Sequence, residues 1–359
     1  MKGADAADGL RGFRRDSLAR ILEAFPSLRV AVLGDFFLDK YLEVDPALAE
    51  KSLETGKVAH QVVAARHSPG AAGTVVCNLA ALGAGTIRAI GFSGDDGEGY
   101  ELRADLAALA CDTRSLHLDR GRCTPTYLKP RDRDVPGLEG EHSRYDFKNS
   151  LPTGRDLERK IVASMDEALP VIDALIVVDQ VEESDFGALT PAIIKALPAS
   201  LGSHPQLVAW ADSRRHIMDF RGLILKMNQF ELAGIREPEA GSALSEALIA
   251  AALPRVAARA GAAVFATAAE RGVWAWGPEG SRPIRVPAVP VNGPVDPTGA
   301  GDSFTAGAVL ALAAGASLEE AALVGNLVAS VTVRQLATTG TARPEELYAA
   351  LDLWREANP

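Results

Sequence analysis

The 359-residue chain has few cysteines and no histidine pattern that suggests a metal site. Its three cysteines, Cys77, Cys111 and Cys123, form no Cys-x-x-Cys motif, so no disulfide framework is predicted. The six histidines lack His-Glu-x-x-His or comparable spacing. Each histidine is therefore predicted to lie on the surface or to serve a hydrogen bond.

The chain also lacks long apolar runs. No stretch is long enough to cross a bilayer as a helix. The first residues, MKGADAADGLRGFRRDS, are polar and have no apolar segment of the kind that a secretory signal peptide needs. These absences predict a cytoplasmic protein that does not insert into a membrane.

Acidic residues outnumber basic residues in the chain. The formal net charge is -10 and the isoelectric point is near 5.2. This balance argues against nucleic acid or an anionic membrane surface as the main partner. It does not exclude an anionic cofactor, because local amides and a few basic side chains decide that binding.

Hydrophobic residues make up 47% of the chain, and they occur in alternating strand-like and helix-like segments. Strands are predicted at 29–34, 86–91, 113–119, 174–178, 206–211, 222–226, 262–267, 272–276 and 284–289. Helices are predicted at 17–25, within 69–83, and at 97–110, 155–169, 186–197, 242–260, 302–314, 317–334 and 343–354. This alternation predicts a three-layer α/β/α fold with a mostly parallel central sheet and helices on both of its faces.

Two regions do not fit the alternation. The segments at about 41–67 and 120–148 contain short β-prone pieces and many charges, and we expect them to form a small β sheet that stands off the main sheet. Residues 1–28 are predicted to be a loose leader followed by a helix. Residues 29–359 are then predicted to form one domain that carries both insertions.

The most informative stretch is Val295-Asp-Pro-Thr-Gly-Ala-Gly-Asp-Ser-Phe304. A glycine-rich turn runs into an apolar helix, and a helix N-terminus offers free amides and the positive end of the helix dipole to an anion. Asp302 would repel a phosphate unless it had a function, and accepting the proton of an attacking hydroxyl is such a function. The alternative is that Asp302 only caps the helix.

Polar residues also follow the first predicted strand. Asp35 and Asp39 come directly after Arg29-Val-Ala-Val-Leu-Gly34. Open α/β sheets bind ligands at the carboxyl ends of their strands, so both residues are candidates for substrate binding. Turn formation and capping are equally open for them.

Together these motifs resemble the ribokinase-like (PfkB) family of carbohydrate kinases. Asp296-Pro-Thr-Gly-Ala-Gly-Asp-Ser-Phe304 is similar to the second signature of the family, and Asn228-Gln-Phe-Glu231 is similar to its Asn-x-x-Glu motif. The resemblance implies a ribokinase-like fold with a β lid, and a reaction that uses ATP and Mg²⁺. It further implies Asp302 as the general base and an anion hole formed by the amides of Gly299, Ala300 and Gly301. Glu231 would hold Mg²⁺ through water, with Asn228 beside it.

The resemblance also assigns residues to the nucleotide. It implies that Thr267 and Gly272, together with the helix region around Asn326 and Ser330, bind the nucleotide. Thr267 and Gly272 belong to a segment that reads Thr-Ala-Ala-Glu-Arg-Gly here. Ala269 stands where the family motif Thr-x-Gly-x-x-Gly has its first glycine.

On the sugar side the chain looks most like the heptose-phosphate kinase branch. Asp35, Asp39, Gly70, Lys129 and Asp302 are implied to bind the sugar. The family signature Gly-Gly-Ala-x-x-Asn reads Gly-Ala-Ala-Gly-Thr here. Ala71 stands for the second glycine of the signature and Thr74 for its asparagine. Thr74 is a candidate for sugar binding, and so is Asn78, which falls one helical turn later.

The leading hypothesis is a kinase that phosphorylates a hydroxyl of a small sugar or sugar phosphate, and a homodimer formed through the lid is expected. A nucleoside kinase of the same fold and a non-catalytic protein that responds to sugar or nucleotide remain alternatives. A dehydrogenase is disfavoured because no Gly-x-Gly-x-x-Gly follows the first strand. No cytidylyltransferase half follows residue 359, so a bifunctional heptose enzyme is not expected. A need for a monovalent cation is left open.

Overall fold

The structure, a computed structural model, describes residues 8–135, 137–239, 241–278, 280, 282–336 and 339–359. Its strands are β1 (Arg29–Gly34), β2 (Phe36–Lys51), β3 (Val58–Ala71), β4 (Thr86–Gly94), β5 (Asp112–Asp119), β6 (Thr126–Asp132), β7 (Tyr145–Phe147), β8 (Ala174–Asp179), β9 (Val208–Ser213), β10 (Ile224–Asn228), β11 (Val264–Thr267), β12 (Val273–Trp276) and β13 (Ile284–Val286). Its α-helices are α1 (Arg15–Ala24), α2 (Ala72–Ala81), α3 (Gly97–Ala108), α4 (Arg155–Ala168), α5 (Pro191–Leu201), α6 (Gln229–Leu232), α7 (Glu246–Ala260), α8 (Ala300–Ala313), α9 (Leu318–Thr332) and α10 (Pro344–Ala357).

A nine-stranded sheet forms the centre of the described part of the chain, in the order β13-β12-β11-β10-β9-β8-β1-β4-β5. Its pairs are parallel except β11–β12 and β12–β13, which are antiparallel. Every residue of β8 is buried, as expected for a strand covered on both faces. The predicted mostly parallel sheet is confirmed.

Helices cover both faces of this sheet and bury two apolar cores. One core includes Leu79 of α2, Phe304 of α8 and Leu323 of α9. The other includes Ile161 of α4 and Leu253 of α7. Each large side chain buried in this way contributes about 1.5–3 kcal/mol to folding before the entropy of ordering is subtracted. The cores hold the carboxyl ends of the central strands in fixed positions. Within the described residues, we find no helix with the length and apolar character that a membrane span requires.

A second sheet of four described strands, in the order β3-β2-β6-β7, stands beside the main sheet, and we call it the small sheet. It contains both predicted insertions, but the predicted start at residue 41 was wrong. Strand β2 begins at Phe36 and pairs with β3 as far as Ala71. The reason is that Phe36, Phe37 and Leu38 are buried, so this apolar stretch continues as strand instead of forming a loop.

Two further sequence predictions are corrected by burial and capping. Residues 8–14 are not a loose leader, because Leu10 and Phe13 are only 2% and 4% exposed and belong to the core. Residues 1–7 of the predicted leader lie outside the described residues. The helix predicted to begin at 186 begins at Pro191, because Thr190 caps it through a bond from the Ile193 amide.

Two of the three alanines with positive φ stand at family motif positions. Ala71 has φ 54° and ψ -118°, and Ala269 has φ 48°. Both stand where the family motifs quoted above have glycine. Each of these alanines therefore carries a Cβ at a positive φ, a strain of about 1–3 kcal/mol.

We expect Ala71→Gly and Ala269→Gly each to raise the free energy of unfolding by about 1 kcal/mol, because the strain is relieved at a smaller entropic cost. Urea denaturation of the single variants measures this. Ala104→Gly is the matched control, since Ala104 is an exposed residue inside α3. It should lose about 0.5–1 kcal/mol. Losses of the same size at positions 71 and 269 would contradict the assignment of strain.

Candidate active site

The candidate site lies where the parallel central strands end. Asp35 follows β1, and Asp179, Asp212, Asn228 and Thr267 lie at or near the carboxyl ends of β8 to β11. Parallel strands bring their carboxyl ends to one edge of the sheet, where ligands bind in open α/β folds. The first turn of α8 faces the same group of residues, as the contacts below show.

The glycine-rich loop forms the N-terminus of α8. Gly299 has φ 76°, in the left-handed region, and directly precedes the helix. Asp296 orders the preceding turn by accepting a bond from the Thr298 amide at 3.0 Å. The Ala300 amide is used inside the loop, because it donates to the carbonyl oxygen of Pro297 at 3.1 Å. A helix leaves the amides of its first turn without an intrahelical acceptor. The Gly301 amide is one of these, and it belongs to the predicted anion hole.

A buried ion pair lies against this first turn. The ammonium of Lys226 in β10 is 2.7 Å from a carboxylate oxygen of Asp212 in β9. Their side chains are 11% and 10% exposed. A Cβ placed on Gly301 would lie only 2.6 Å from Lys226 Nζ, so the glycine makes room for the cation. Burial lowers the pKa of Lys226, but the attraction of Asp212 outweighs it, and the net shift is upward. Lys226 is therefore a charged group beside the helix N-terminus.

Asp302 lies in the same first turn and is half-buried. Burial, with the repulsion of Asp212, raises its pKa to about 7, although Lys226 and Arg214 act in the opposite direction. At physiological pH, the neutral and the ionised forms of a carboxyl group with this pKa have similar populations. This property suits a general base, which must both accept and release a proton.

The Asn228 and Glu231 side chains form a capping box at α6. Asn228 Oδ1 accepts bonds from the amides of Phe230 and Glu231, at 2.8 and 2.9 Å, and Glu231 Oε2 accepts from the Asn228 amide at 2.7 Å. The motif thus has a structural function in the folded chain. Burial raises the pKa of Glu231, and the charges of Lys226, Asp212 and Arg214 act on it, so its carboxylate belongs to the same charged cluster.

The carboxylate of Glu231 suits a Mg²⁺ ion that keeps much of its hydration shell. Mg²⁺ prefers oxygen ligands and usually takes one or two carboxylates together with waters and substrate phosphates. Among the described residues, no group of three or more His, Cys, Asp or Glu side chains could hold a metal. The donor set therefore fits a magnesium site completed by nucleotide and water, and does not fit a site made by protein ligands alone.

Two of the four predicted nucleotide residues, Asn326 and Gly272, lie against the end of β13. Asn326 donates to the carbonyl oxygens of Val286 and Pro287 at 3.2 and 3.1 Å. A Cβ on Gly272 would lie 2.1 Å from the same Val286 oxygen, so only glycine fits there. Ser330 donates within its own helix, to Leu327 at 2.7 Å. Thr267 donates to the Met227 carbonyl at 3.4 Å. All four residues thus shape the backbone here, and direct contact with a nucleotide stays a prediction.

The small sheet contributes a second buried ion pair. Lys129 of β6 lies 2.9 Å from Asp39 of β2 and 3.3 Å from the hydroxyl of Tyr41. A Cβ on Gly70 would lie 2.8 Å from the other oxygen of Asp39, so a larger residue at position 70 would displace this carboxylate. Asp39 also raises the pKa of Asp302. The predicted sugar residue and the predicted base are therefore close enough to interact electrostatically.

Thr74 and Asn78 of α2 lie at different depths. A Cβ on Gly299 would be 3.4 Å from the Thr74 methyl group, so Thr74 reaches the glycine loop. Asn78 is fully buried behind it and donates to the Thr74 carbonyl at 3.0 Å. Asn78 Oδ1 has no hydrogen-bond partner among the described residues. Thr74 is therefore nearer to the glycine-rich loop than Asn78, and contact of either residue with a ligand stays a prediction.

Asp35 is occupied by backbone amides. Its carboxylate accepts bonds from Gln180, Val181 and Ala188 at 2.8, 3.1 and 2.6 Å. Burial and the neighbouring Asp179 raise its pKa to about 6. These bonds anchor the 180–188 loop, which is the capping function that the sequence had left open for Asp35.

Sequence reasoning missed two charged residues. Asp212 and Arg214 act on Asp302, and neither was selected as a site residue. Asp212 ends a predicted strand, so the rule that ligands bind at carboxyl ends could have found it. Arg214 also lines a pocket between the small sheet and the 180–188 loop. The other walls of this pocket include Phe37, Tyr127, Lys148, Glu183 and Phe186.

The sequence of the chain is similar to sequences of known carbohydrate kinases. Residues 204–345 match the model of the pfkB family carbohydrate kinases. The chain is 31% identical over 337 residues to the bifunctional protein HldE of Pectobacterium atrosepticum, with 92% of this chain and 64% of that protein covered. It is also 31% identical over 336 residues to the HldE of Caulobacter vibrioides, with 90% and 63% covered. The chain thus spans a little under two thirds of the length of these relatives.

Solved structures share the whole fold. Phosphofructokinase-2 from Escherichia coli in complex with potassium superimposes with a TM-score of 0.67 at 18% identity, covering 92% of this chain and all of that one. Arabidopsis thaliana ribokinase complexed with ribose and ATP gives 0.62 at 18% identity, covering 91% and 99%. The predicted ribokinase-like fold is confirmed. The matched segment, the relatives and the fold make the chain similar to the pfkB family of carbohydrate kinases over most of its length.

Proposed function

We propose that the protein is an ATP-dependent kinase that phosphorylates a hydroxyl of a small sugar or sugar phosphate. The observation that carries this proposal is the position of Asp302. Its carboxyl group, with a pKa near 7, lies in the first turn of α8, next to the Lys226 ammonium and the glycine-rich loop. A base and an anion-binding element are therefore together, and phosphoryl transfer to an alcohol needs both.

The chemistry assigns a separate function to each group. Asp302 accepts the proton of the sugar hydroxyl as its oxygen bonds to the γ-phosphorus, and the bond from that phosphorus to the β-phosphate oxygen breaks to release ADP. The amides at the start of α8 and the charge of Lys226 hold the transferring phosphoryl group. Because these donors are fixed by the loop and by Asp212, little reorganisation is needed during transfer.

Magnesium fits the carboxylate cluster beside this element. Glu231 would hold the ion through water, and Asn228 fixes Glu231 through the capping box. When bound, Mg²⁺ neutralises phosphate charge during transfer.

The small sheet supplies the sugar side. We propose that Asp39 accepts bonds from sugar hydroxyls, that Gly70 and Thr74 line the sugar, and that the small sheet closes over it as a lid and excludes water. A sugar phosphate is favoured because Lys129, Lys148 and Arg214 are all near this side. The similarity to the heptose-phosphate branch points in the same direction.

A lid-mediated homodimer is also part of the proposal. The outer half of the β2–β3 hairpin carries exposed apolar side chains, with Leu53 99% and Val58 56% exposed. Exposed strands of this kind are usually covered. A second copy of the hairpin would bury them.

The pH dependence of turnover follows from Asp302. Its pKa is about 7, and only the ionised carboxylate can accept the hydroxyl proton. We expect kcat/KM to fall by about tenfold per pH unit as the pH drops below about 7, and to level off above it. A pH–rate profile of the wild-type enzyme measures this. An acid limb centred near the ordinary pKa of aspartate would contradict the predicted environment.

The proposal is tested by release of ADP from ATP and Mg²⁺ over a panel of pentoses, hexoses, heptose phosphates and nucleosides, with Asp302→Asn as the blank. Stimulation by a sugar or sugar phosphate, absent in the blank, is expected. Stimulation by nucleosides alone would replace the proposal with a nucleoside kinase. A flat panel with ATP binding intact would favour a non-catalytic protein.

A further inference from the structure

A second cavity, of about 350 Å³, lies outside the proposed kinase site. It opens between the 180–188 loop, the start of α5 and the segment that follows β9. Its lining includes Ser184, Ile194, Lys195, His216, Asp219 and Arg221. None of these residues has a function in the proposed phosphoryl transfer.

Two cations face this cavity without a paired acid. Among the described residues, no carboxylate lies within ion-pair distance of Lys195 or Arg221. Arg221 is held in place because its Nη1 donates to the carbonyl oxygens of Met218 and Phe220, both at 2.7 Å. Lys195 is exposed on α5. A fixed guanidinium and a mobile ammonium on one cavity form a pair that suits an anion.

A third cationic group belongs to a hydrogen-bonded chain. His216 Nδ1 lies 2.9 Å from a carboxylate oxygen of the buried Asp179, and Nε2 lies 3.4 Å from the Ser184 hydroxyl. The bond to Asp179 raises the pKa of His216. Asp219 also lines the cavity and adds one negative charge. The balance facing the cavity is positive when His216 is protonated.

The remaining residues that line the cavity are apolar. Leu189, Pro191, Ile194 and Pro198 line the cavity, so one side of α5 forms part of its wall. An anion with a small carbon skeleton would contact both the charged and the apolar parts. Three cations face the cavity against Asp219 and the buried Asp179, and the two cations without a paired acid suit the several oxygens of a phosphate.

We propose that this cavity is a binding site for a small organic phosphate, held by Arg221, Lys195 and His216. The site is separate from the proposed kinase site, and its occupation does not depend on the kinase proposal. Ser184 lines the cavity, and its hydroxyl donates to a phosphate oxygen.

The test is an NMR titration of the full chain labelled with ¹⁵N-histidine, at constant pH and ionic strength, with glycerol 2-phosphate. The His216 signal is assigned by its loss in His216→Gln. We expect this signal to shift in a saturable way, and acetate to shift it far less. Lys195→Ala should weaken the apparent affinity by about tenfold or more, the worth of one charge-assisted contact.

Lys160→Ala is the matched control, because Lys160 is an exposed helical lysine that does not line the cavity. It should bind like the wild type. Absence of a saturable shift would overturn the site, as would an unchanged affinity in Lys195→Ala. An equal response to acetate would overturn the assignment to phosphate. If phosphate bound only at the N-terminus of α8, Lys195→Ala would have the same apparent affinity as the wild type.

Discussion

Asp302→Asn is expected to lower turnover by about 10²–10⁴, the usual contribution of a positioned general base. The amide has nearly the same shape as the carboxyl group but cannot accept the hydroxyl proton. Binding of ATP should change little, because the helix N-terminus and Lys226 are retained. Steady-state release of ADP gives turnover, and titration with an ATP analogue gives binding.

The matched control for this variant is Asp173→Asn. Asp173 is a partly exposed carboxylate paired with Arg29 directly before β8, at the edge of the sheet opposite the strand ends that form the site. Its replacement should leave turnover within about twofold, since surface pairs are worth at most about 1 kcal/mol. Near-normal turnover in Asp302→Asn would remove Asp302 from the mechanism.

Lys226→Met is expected to be the most destabilising of the substitutions considered. Removing the ammonium leaves Asp212 buried without its partner, and breaking a buried ion pair typically costs about 3–5 kcal/mol. Turnover should fall as well. Lys226 lowers the pKa of Asp302, so its loss would leave more of the base protonated at neutral pH. Chemical denaturation measures the first effect and ADP release the second.

The double variant Lys226→Met/Asp212→Asn separates stability from catalysis. With both charges gone, most of the lost stability should return, because no unpaired buried charge remains. Turnover should stay low, because the phosphoryl group still lacks the cation beside Gly301. If turnover recovers together with stability, Lys226 has only a structural function.

The sequence predicted the parts of the site that are local in the chain. The glycine-rich loop, the helix after it and Asp302 fall within ten residues, and turn chemistry and helix capping act at that range. The same holds for the Asn228–Glu231 box. The alternation of strands and helices was also sufficient to predict the main sheet, since buried parallel strands have a continuous apolar pattern.

Contacts between distant segments could not be predicted in this way. The 180–188 loop is held by Asp35, which is about 150 residues away in the chain. The pairing of Asp212 with Lys226 depends on the register of β9 with β10. Neither partner signals the other in the sequence, because only tertiary packing brings them together. Asp35 was therefore predicted as a sugar ligand, and Asp212 was not selected.

Ala71 and Ala269 show a different limit. Both substitutions are visible in the sequence, and by themselves they raise the question whether the backbone path has changed. The backbone angle φ decides this question, and it is positive at both residues. The sequence alone does not specify φ. The chain has accepted local strain at two places next to the proposed ligand sites.

The most direct test of the central claim follows the γ-phosphoryl group itself. ATP labelled at the γ-phosphate is incubated with the protein, Mg²⁺ and the sugar phosphate that stimulates ADP release most, and the products are separated. We predict that the label appears in a new sugar phosphate ester and that Asp302→Asn abolishes this product. Label found only in inorganic phosphate, or retained in ATP that is bound, would contradict transfer to a sugar hydroxyl.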